Sequence, residues 1–436
     1  MNSSYTIGVI GLWHLGEIYS AGLSEIGHRV IGISDDAELV GRFAKKMPPL
    51  PEPGLEKLLA DNFERGRLEY TVDIGRVSEC NVVWLTFDTP VDENDDIDLS
   101  PIYEAVDRII PHLQEGVLMV VSSQIPVGTS TEIMDRIRRV RPELTFRYAY
   151  TPENLRLGEA VRCFMEPVRI VVGAAGEEAF LNMKDIFTPL KAEIIQMSPA
   201  SAEMAKHALN AFLASSICFA NDLADIAEEV GADMLDVSRA LHSDPRIGPR
   251  AYVDAGLSFS GGTLNRDIKV LRGLAQKYNI HPSVIATLYE KNEARKKLVP
   301  EKLAKLLGGL TGKTISLLGL TYKPGTKTLR RSHALEIAKE LVVRGAVLRL
   351  HDPQAEEKEI GIPAVFSRDV YEASRGAHAV VVVTSWPEFK EIDFSKLAAS
   401  AAPGAIFFDT FNFLSSKEKA IADAGFRYIG IGRGTI

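Results

Sequence analysis

At 436 residues, with 46% hydrophobic and 25% charged side chains, the chain is long enough for two or three domains, each with its own core. A formal net charge of -8 argues against general attraction to nucleic acid or an acidic membrane, while a few local cations can still hold an anionic substrate. The three cysteines, Cys80, Cys163 and Cys218, lack motif spacing, which fits reduced thiols in a cytoplasmic protein and gives no metal site.

In chain order, Tyr5-Thr6-Ile7-Gly8-Val9-Ile10-Gly11 reads as a first strand rather than a leader. The longest apolar runs, 117–121 and 379–383, fall far short of the ~20 residues that span a bilayer, so no membrane role is indicated. Up to about residue 195, apolar β-branched runs (6–10, 29–33, 82–86, 117–122, 169–172) alternate with amphipathic stretches, which predicts a parallel sheet covered on both faces. The acidic run 92–96 reads as a solvated loop.

Ser198 and Pro199 then supply a cap and a first-turn proline for a helix running through Ile226 toward Gly231. Met204, Leu209, Phe212, Leu213, Ile217, Phe219 and Leu223 coat much of its circumference, which predicts burial in a core or against a second subunit. Further helices continue to about 307. From Lys313 a second alternating block begins, with strands at 314–318, 347–350, 379–384 and 406–408 and a helix at 333–344. The predicted fold class is α/β. A Rossmann-type parallel-sheet domain (1–196) is followed by a central helical region (197–307) and a smaller Rossmann-like domain (308–436).

The stretch Ala255-Gly256-Leu257-Ser258-Phe259-Ser260-Gly261-Gly262-Thr263-Leu264-Asn265-Arg266-Asp267 resembles the active-site turn of the UDP-glucose/GDP-mannose dehydrogenase family, A-G-x-G-[YF]-G-G-S-C-F-x-K-D. The resemblance extends collinearly over most of the chain. It implies an NAD-binding N-terminal domain, a central helix that forms a homodimer, and a C-terminal domain that holds the nucleotide of a sugar nucleotide. At position 263 the family places the cysteine that captures an aldehyde, and this chain has threonine. A thiol is readily activated, whereas a hydroxyl is a weak nucleophile without a dedicated base.

At the cofactor end, Gly11-Leu12-Trp13-His14-Leu15-Gly16 follows the first strand, where a Gly-x-Gly-x-x-Gly dinucleotide turn belongs. Trp13 stands at the second glycine, where backbone normally approaches the pyrophosphate. The acid that grips the adenosine ribose is replaced by Ser34, followed by Asp35 as a possible substitute and Asp36. No arginine follows directly to take a 2′-phosphate, so NAD is expected over NADP. Thr89 and Pro90, in Phe87-Asp88-Thr89-Pro90, match the family's V-G-T-P loop, and Arg330 matches an arginine that reaches the cofactor.

At the substrate end, Lys206 and Asn210 lie four apart on one helix face and match the family's K-x-x-x-N pair. The resemblance gives the lysine the developing oxyanion and the asparagine a water, and makes Asp267 the general base of alcohol oxidation. Glu153 is kept in Thr151-Pro152-Glu153-Asn154-Leu155-Arg156-Leu157, but Leu157 and Gln124 replace the glutamate and threonine of the family's second, hydrolytic stage, and Arg266 replaces its lysine. Arg156, Arg246 (in Asp244-Pro245-Arg246-Ile247-Gly248), Phe259, Gly261 and Lys323 (in Tyr322-Lys323-Pro324) match substrate-binding positions. Cys218 lies twelve residues beyond Lys206, ~18 Å along the axis, too far to stand in for the missing thiol. Three readings follow: one two-electron oxidation of a nucleotide sugar, the full four-electron conversion to a uronic acid, or a non-catalytic homologue that binds sugar nucleotides.

Overall fold

The computed structural model describes residues 4–89, 97–260, 263–330 and 332–434. The acidic run 92–96 and the expected site residues Pro90 and Gly261 lie outside the described residues. The chain divides into two compact units, 1–208 and 209–436.

In the first unit, strands β1 (Thr6–Ile10), β2 (Arg29–Ile33), β3 (Leu68–Thr71), β4 (Val82–Leu85), β5 (Val117–Val121), β6 (Phe146–Tyr150), β7 (Arg169–Ala174) and β8 (Glu193–Met197) form one sheet. Its order is β3-β2-β1-β4-β5-β6-β7-β8. Every residue of β4 and β5 is buried, as covering on both faces requires. The expected all-parallel sheet carries one exception: β6 and β7 pair antiparallel, through Ala149–Ala174 and Tyr150–Gly173. Antiparallel neighbours need no crossover. The connection between them instead carries Phe164 onto the first helix, α1 (His14–Glu25), where a side chain in place of Gly22 would lie 2.3 Å from the ring.

β1 and β4 are neighbours, with β2 and β5 on opposite sides, so the strand order reverses between them. The loops leaving such a pair bound the crevice where doubly wound sheets hold ligands. Two glycines make the loop after β1 possible. Gly11 has φ +97, and a Cβ on Gly16 would sit 2.0 Å from the Gly11 carbonyl oxygen. Helices α2 (Ala37–Ala44) and α3 (Ser100–Ile109) follow β2 and β4 in the chain.

The long helix α4 (Pro199–Val230) starts as expected, with the Ser198 hydroxyl accepting the Ser201 amide at 3.2 Å, and stops before Gly231, whose φ is +73. The division between units falls inside α4 because its first turns belong to the first unit. Ala202 packs into that core, and the Glu203 carboxylate accepts the amides of Gly128 and Ser130 at 2.7 and 2.8 Å. Burial of α4 runs through small residues, Ala214, Ala220, Ala224 and Ala227. Of the expected apolar coat, Met204, Phe212 and Phe219 are 41, 70 and 54% exposed in the single chain, which leaves them outside its core, and Ile226 is 58% exposed beside them.

The second unit contains α5 (Thr263–Lys277), α6 (Ser283–Arg295) and a smaller sheet. Strands β9 (Thr314–Leu318), β10 (Val347–His351), β11 (Val365–Phe366), β12 (Ala379–Val382), β13 (Ile406–Asp409) and β14 (Arg427–Gly430) lie parallel in the order β11-β10-β9-β12-β13-β14. Helix α7 (His333–Val343) connects β9 to β10. The loop after β9 repeats the logic of the first sheet: Gly319 has φ +87, and a Cβ there would lie 2.6 Å from Thr384.

Candidate active site

In the first unit the site begins at the open end of α1. Trp13 is the residue before the helix, in extended backbone (φ -111), and its side chain caps none of the first-turn amides. That backbone is ordinary for any residue, so glycine is not required there for conformation, only for space. The indole is 50% exposed. The uncapped first turn leaves backbone N–H groups available to an anion. Thr86 donates to the Ile10 and Gly11 carbonyls at 3.1 and 2.9 Å, while the Thr89 hydroxyl is turned to the Gln124 carbonyl at 2.7 Å. Leu15 is buried in the core.

Neither acid after β2 presents a free carboxylate. Asp36 caps α2 by accepting the Leu39 amide at 2.9 Å. Asp35 is paired at 2.7 Å with Arg108, which arrives from α3. Ser34 accepts the Asp36 amide at 3.2 Å. An arginine therefore does stand beside this corner, brought by the fold from a distant stretch of sequence, but it is already matched by Asp35.

Also in the first unit, the Lys206 ammonium donates to the Glu153 carbonyl oxygen at 2.6 Å and lies 3.3 Å from Oε1 of the same residue. Both side chains are largely screened from solvent, where a charge-assisted contact is strong. The Glu52 carboxylate ties this loop to α1: it meets His14 Nε2 at 2.8 Å and accepts the amides of Gly158 and Ala160 at 2.8 and 3.2 Å. Arg156 is exposed, 4.0 Å from Glu159.

In the second unit, Asn210 of α4 donates through Nδ2 to Asp267 of α5, and both side chains are buried. Thr263 is the first residue of α5, one turn before Asp267, and is exposed. Phe259 was expected to touch substrate; its ring instead packs with Ala214, Cys218, Ile268 and Leu288, because that loop runs against α4 and α6. Arg246 is exposed and held by Asp244 at 2.6 Å. Lys323 lies 5.7 Å from the centre of the Tyr322 ring, and Arg330 is exposed. Asp352, fully buried at the end of β10, fixes the loop carrying Lys323. One of its oxygens accepts the amides of Leu320 and Thr321 and the Trp386 indole N–H at 2.6, 3.0 and 3.1 Å. Burial alone would raise its pKa; the backbone amides of Leu320, Thr321, Gln354 and Ala355 together hold it below the ordinary value.

The NAD binding domain of the UDP-glucose/GDP-mannose dehydrogenase family matches residues 5–191, its central domain 200–294 and its UDP binding domain 316–416. A UDP-glucose 6-dehydrogenase of Rhizobium meliloti is 33% identical over 437 residues, covering 98% of this chain and 99% of that protein. The chain belongs to the UDP-glucose/GDP-mannose dehydrogenase family. A UDP-glucose 6-dehydrogenase of Pseudomonas aeruginosa is 31% identical over 445 residues, 98% of this chain and 97% of its own length. The solved UDP-glucose dehydrogenase of the archaeon Pyrobaculum islandicum superposes with a TM-score of 0.88 at 28% identity, over 99% of both chains. The family's NAD binding domain thus falls on the eight-stranded sheet and its UDP binding domain on the six-stranded one.

Sequence reading missed one acid at the dinucleotide turn of this family member. Glu17, in the first turn of α1, is fully buried, and among the described residues neither carboxyl oxygen makes a hydrogen bond of normal geometry. Burial pushes its pKa up to about 8; the Leu50 backbone pulls it back, Glu52 and Asp88 push it further, and Arg42 lowers it. A glutamate on the buried side of an amphipathic helix was the available signal. An unfolded glutamate ionises near its model value of 4.5, so between there and about pH 8 the folded state binds more protons. Stability contributed by Glu17 is therefore lost as pH rises through that window. In thermal melts from about pH 5 to about pH 8, Glu17→Gln gains stability relative to the parent as pH rises, whereas a constant gap would show that Glu17 ionises normally in the fold.

Proposed function

We propose that the protein oxidises the alcohol of a nucleotide sugar in one two-electron step and releases a carbonyl product. The chain is an NAD-dependent oxidoreductase by family, and its own residues suit the cofactor. A Cβ on Gly16 would fill the turn and the first turn of α1 is uncapped, while burial raises the pKa of Glu17 and so favours its uncharged form beside the turn. When bound, NAD supplies the hydride acceptor. Gly11, Trp13, Leu15 and Gly16 would hold it at the turn after β1, and Ser34, Asp35, Thr89, Pro90 and Arg330 are the further positions assigned to it.

On the substrate side, Asp267 takes the hydroxyl proton, Lys206 balances charge growing on the oxygen, and Asn210 and Glu153 orient these two groups. Arg156, Arg246, Gly261, Lys323 and the backbone at Phe259 are assigned to the nucleotide sugar, with the UDP binding domain as the support for a uridine diphosphate.

The observation that carries the single step is Thr263. It stands at the start of α5, one turn from Asp267, where a thiol would be needed to hold the aldehyde for a second oxidation. Cys218 does not supply that thiol, because burial pushes its pKa up to about 11. Cys80 is likewise buried and pushed up to about 12. The test is the count of NADH formed per nucleotide sugar consumed, across a panel of UDP- and GDP-sugars. One per sugar is expected, and two would establish the four-electron conversion instead. Thr263→Cys is expected to yield some acid product, detectable by mass spectrometry of the reaction mixture. A non-catalytic sugar-nucleotide binder, the reading that Trp13 and Ser34 favour, predicts no NADH and no heat on mixing with NAD.

The stretch 197–307 serves as a homodimerisation region in this reading, in a cytoplasmic enzyme with three free thiols. No described helix is long and apolar enough to cross a membrane. Support for the dimer is the exposed apolar stripe of α4: Phe212, Phe219 and Ile226 recur every seven residues, and Val230 extends it. Phe219→Glu is expected to shift the protein from dimer to monomer in sedimentation velocity; an unchanged dimer would place the interface elsewhere.

A further inference from the structure

The backbone leading to Thr263 is held by side chains that the chemistry above does not use. Asn292 of α6 is 1% exposed and grips one residue on both of its polar groups. Its Oδ1 accepts the Phe259 amide at 2.8 Å, and its Nδ2 donates to the Phe259 carbonyl at 3.2 Å. This is the bonding a neighbouring β-strand would provide, supplied by a carboxamide. Asn221 of α4 holds two residues just upstream, accepting the Gly256 amide and donating to the Leu257 carbonyl, both at 3.1 Å. Arg295 of α6 donates from Nε and Nη2 to the Gly256 carbonyl at 3.2 Å and pairs with Asp225 at 2.5 Å. His333, at the start of α7, meets the Ser258 carbonyl, and Phe411 packs so close to Gly256 that a Cβ there would lie 2.7 Å from its ring.

Buried carboxamides are costly unless fully bonded. Here two of them are spent on an irregular segment that ends four residues before Thr263, and not on a helix or a sheet. Downstream, the Asn210–Asp267 bond fixes α5 one turn past Thr263. Position 263 is thereby bracketed on both sides by buried polar bonds.

We propose that Asn221 and Asn292 are positioning residues for the reaction: by fixing backbone 256–259 they set where Thr263 and Asp267 stand relative to the sugar. The idea rests on the enzymatic reading above. An error of about 1 Å at a reacting group can cost of order 10²-fold in rate, so a loop held at four points has a kinetic consequence beyond stability.

The experiment compares the full-length protein with Asn292→Ala and Asn292→Leu. Leucine has nearly the shape of asparagine and fills the space without the hydrogen bonds. Hydrogen exchange read at residues 256–259 is expected to quicken about tenfold or more in both variants. The kcat for NADH formation should fall about tenfold or more in both, with the Kd for NAD by calorimetry unchanged. If leucine restores kcat to the parent value, the position only fills space and the proposal falls. Unchanged exchange at 256–259 would show that the clamp does not hold the loop. If alanine prevents folding, leucine alone gives the same decision. A parent protein that makes no NADH from any nucleotide sugar sinks the enzymatic reading and with it the kinetic role, while exchange still judges the clamp.

Discussion

The bond from Asn210 to Asp267 is the constraint on which the second unit's chemistry depends. It joins two helices by a contact in which both groups are removed from water, so a slip of either helix would break a buried polar bond. That fixes the rotation of α5, and with it the direction in which Thr263 faces. In the proposed reaction, the side chain at the first residue of the helix decides the outcome. On that proposal, a hydroxyl there keeps the base and the sugar but loses the means to retain the product.

The two sheets show how one topology serves different ends. In each, a glycine with positive φ closes the loop after the first strand at the point where strand order reverses. In the smaller sheet the acid at the end of the second strand, Asp352, is consumed in bonding the start of the first loop, which leads on to Lys323. In the larger sheet the equivalent place is Ser34, and the acids that follow it are tied to Leu39 and Arg108. The first turn of α1 stays uncapped. One loop is tied to a buried acid, while the other keeps an uncapped helix start.

Much of this was legible in the sequence, for identifiable reasons. Runs such as 6–10, 29–33 and 314–318 are apolar, β-branched and bounded by turn residues, and they form strands at those residues. Collinear motifs carried the family. What could not be read depended on distant partners. Nothing near Asp35 announces Arg108, and nothing in the 255–259 stretch announces Asn221 or Asn292, because those contacts span tens of residues. The apolar coat of α4 pointed equally to a core or to a second subunit; within the chain its alanines are the buried residues, while Phe212 and Phe219 are exposed, a choice between faces that composition alone does not make. The antiparallel β6–β7 pair escaped for a similar reason: strand direction belongs to the connection, not to the strand's own residues.

The account stands on the absence of a covalent hold at position 263. Its most direct test is the intact mass of the protein, quenched during turnover with a nucleotide sugar and NAD. The account predicts the mass of the unmodified chain at every time point. A species heavier by the sugar nucleotide, with the addition mapped to the peptide containing Thr263, would contradict it.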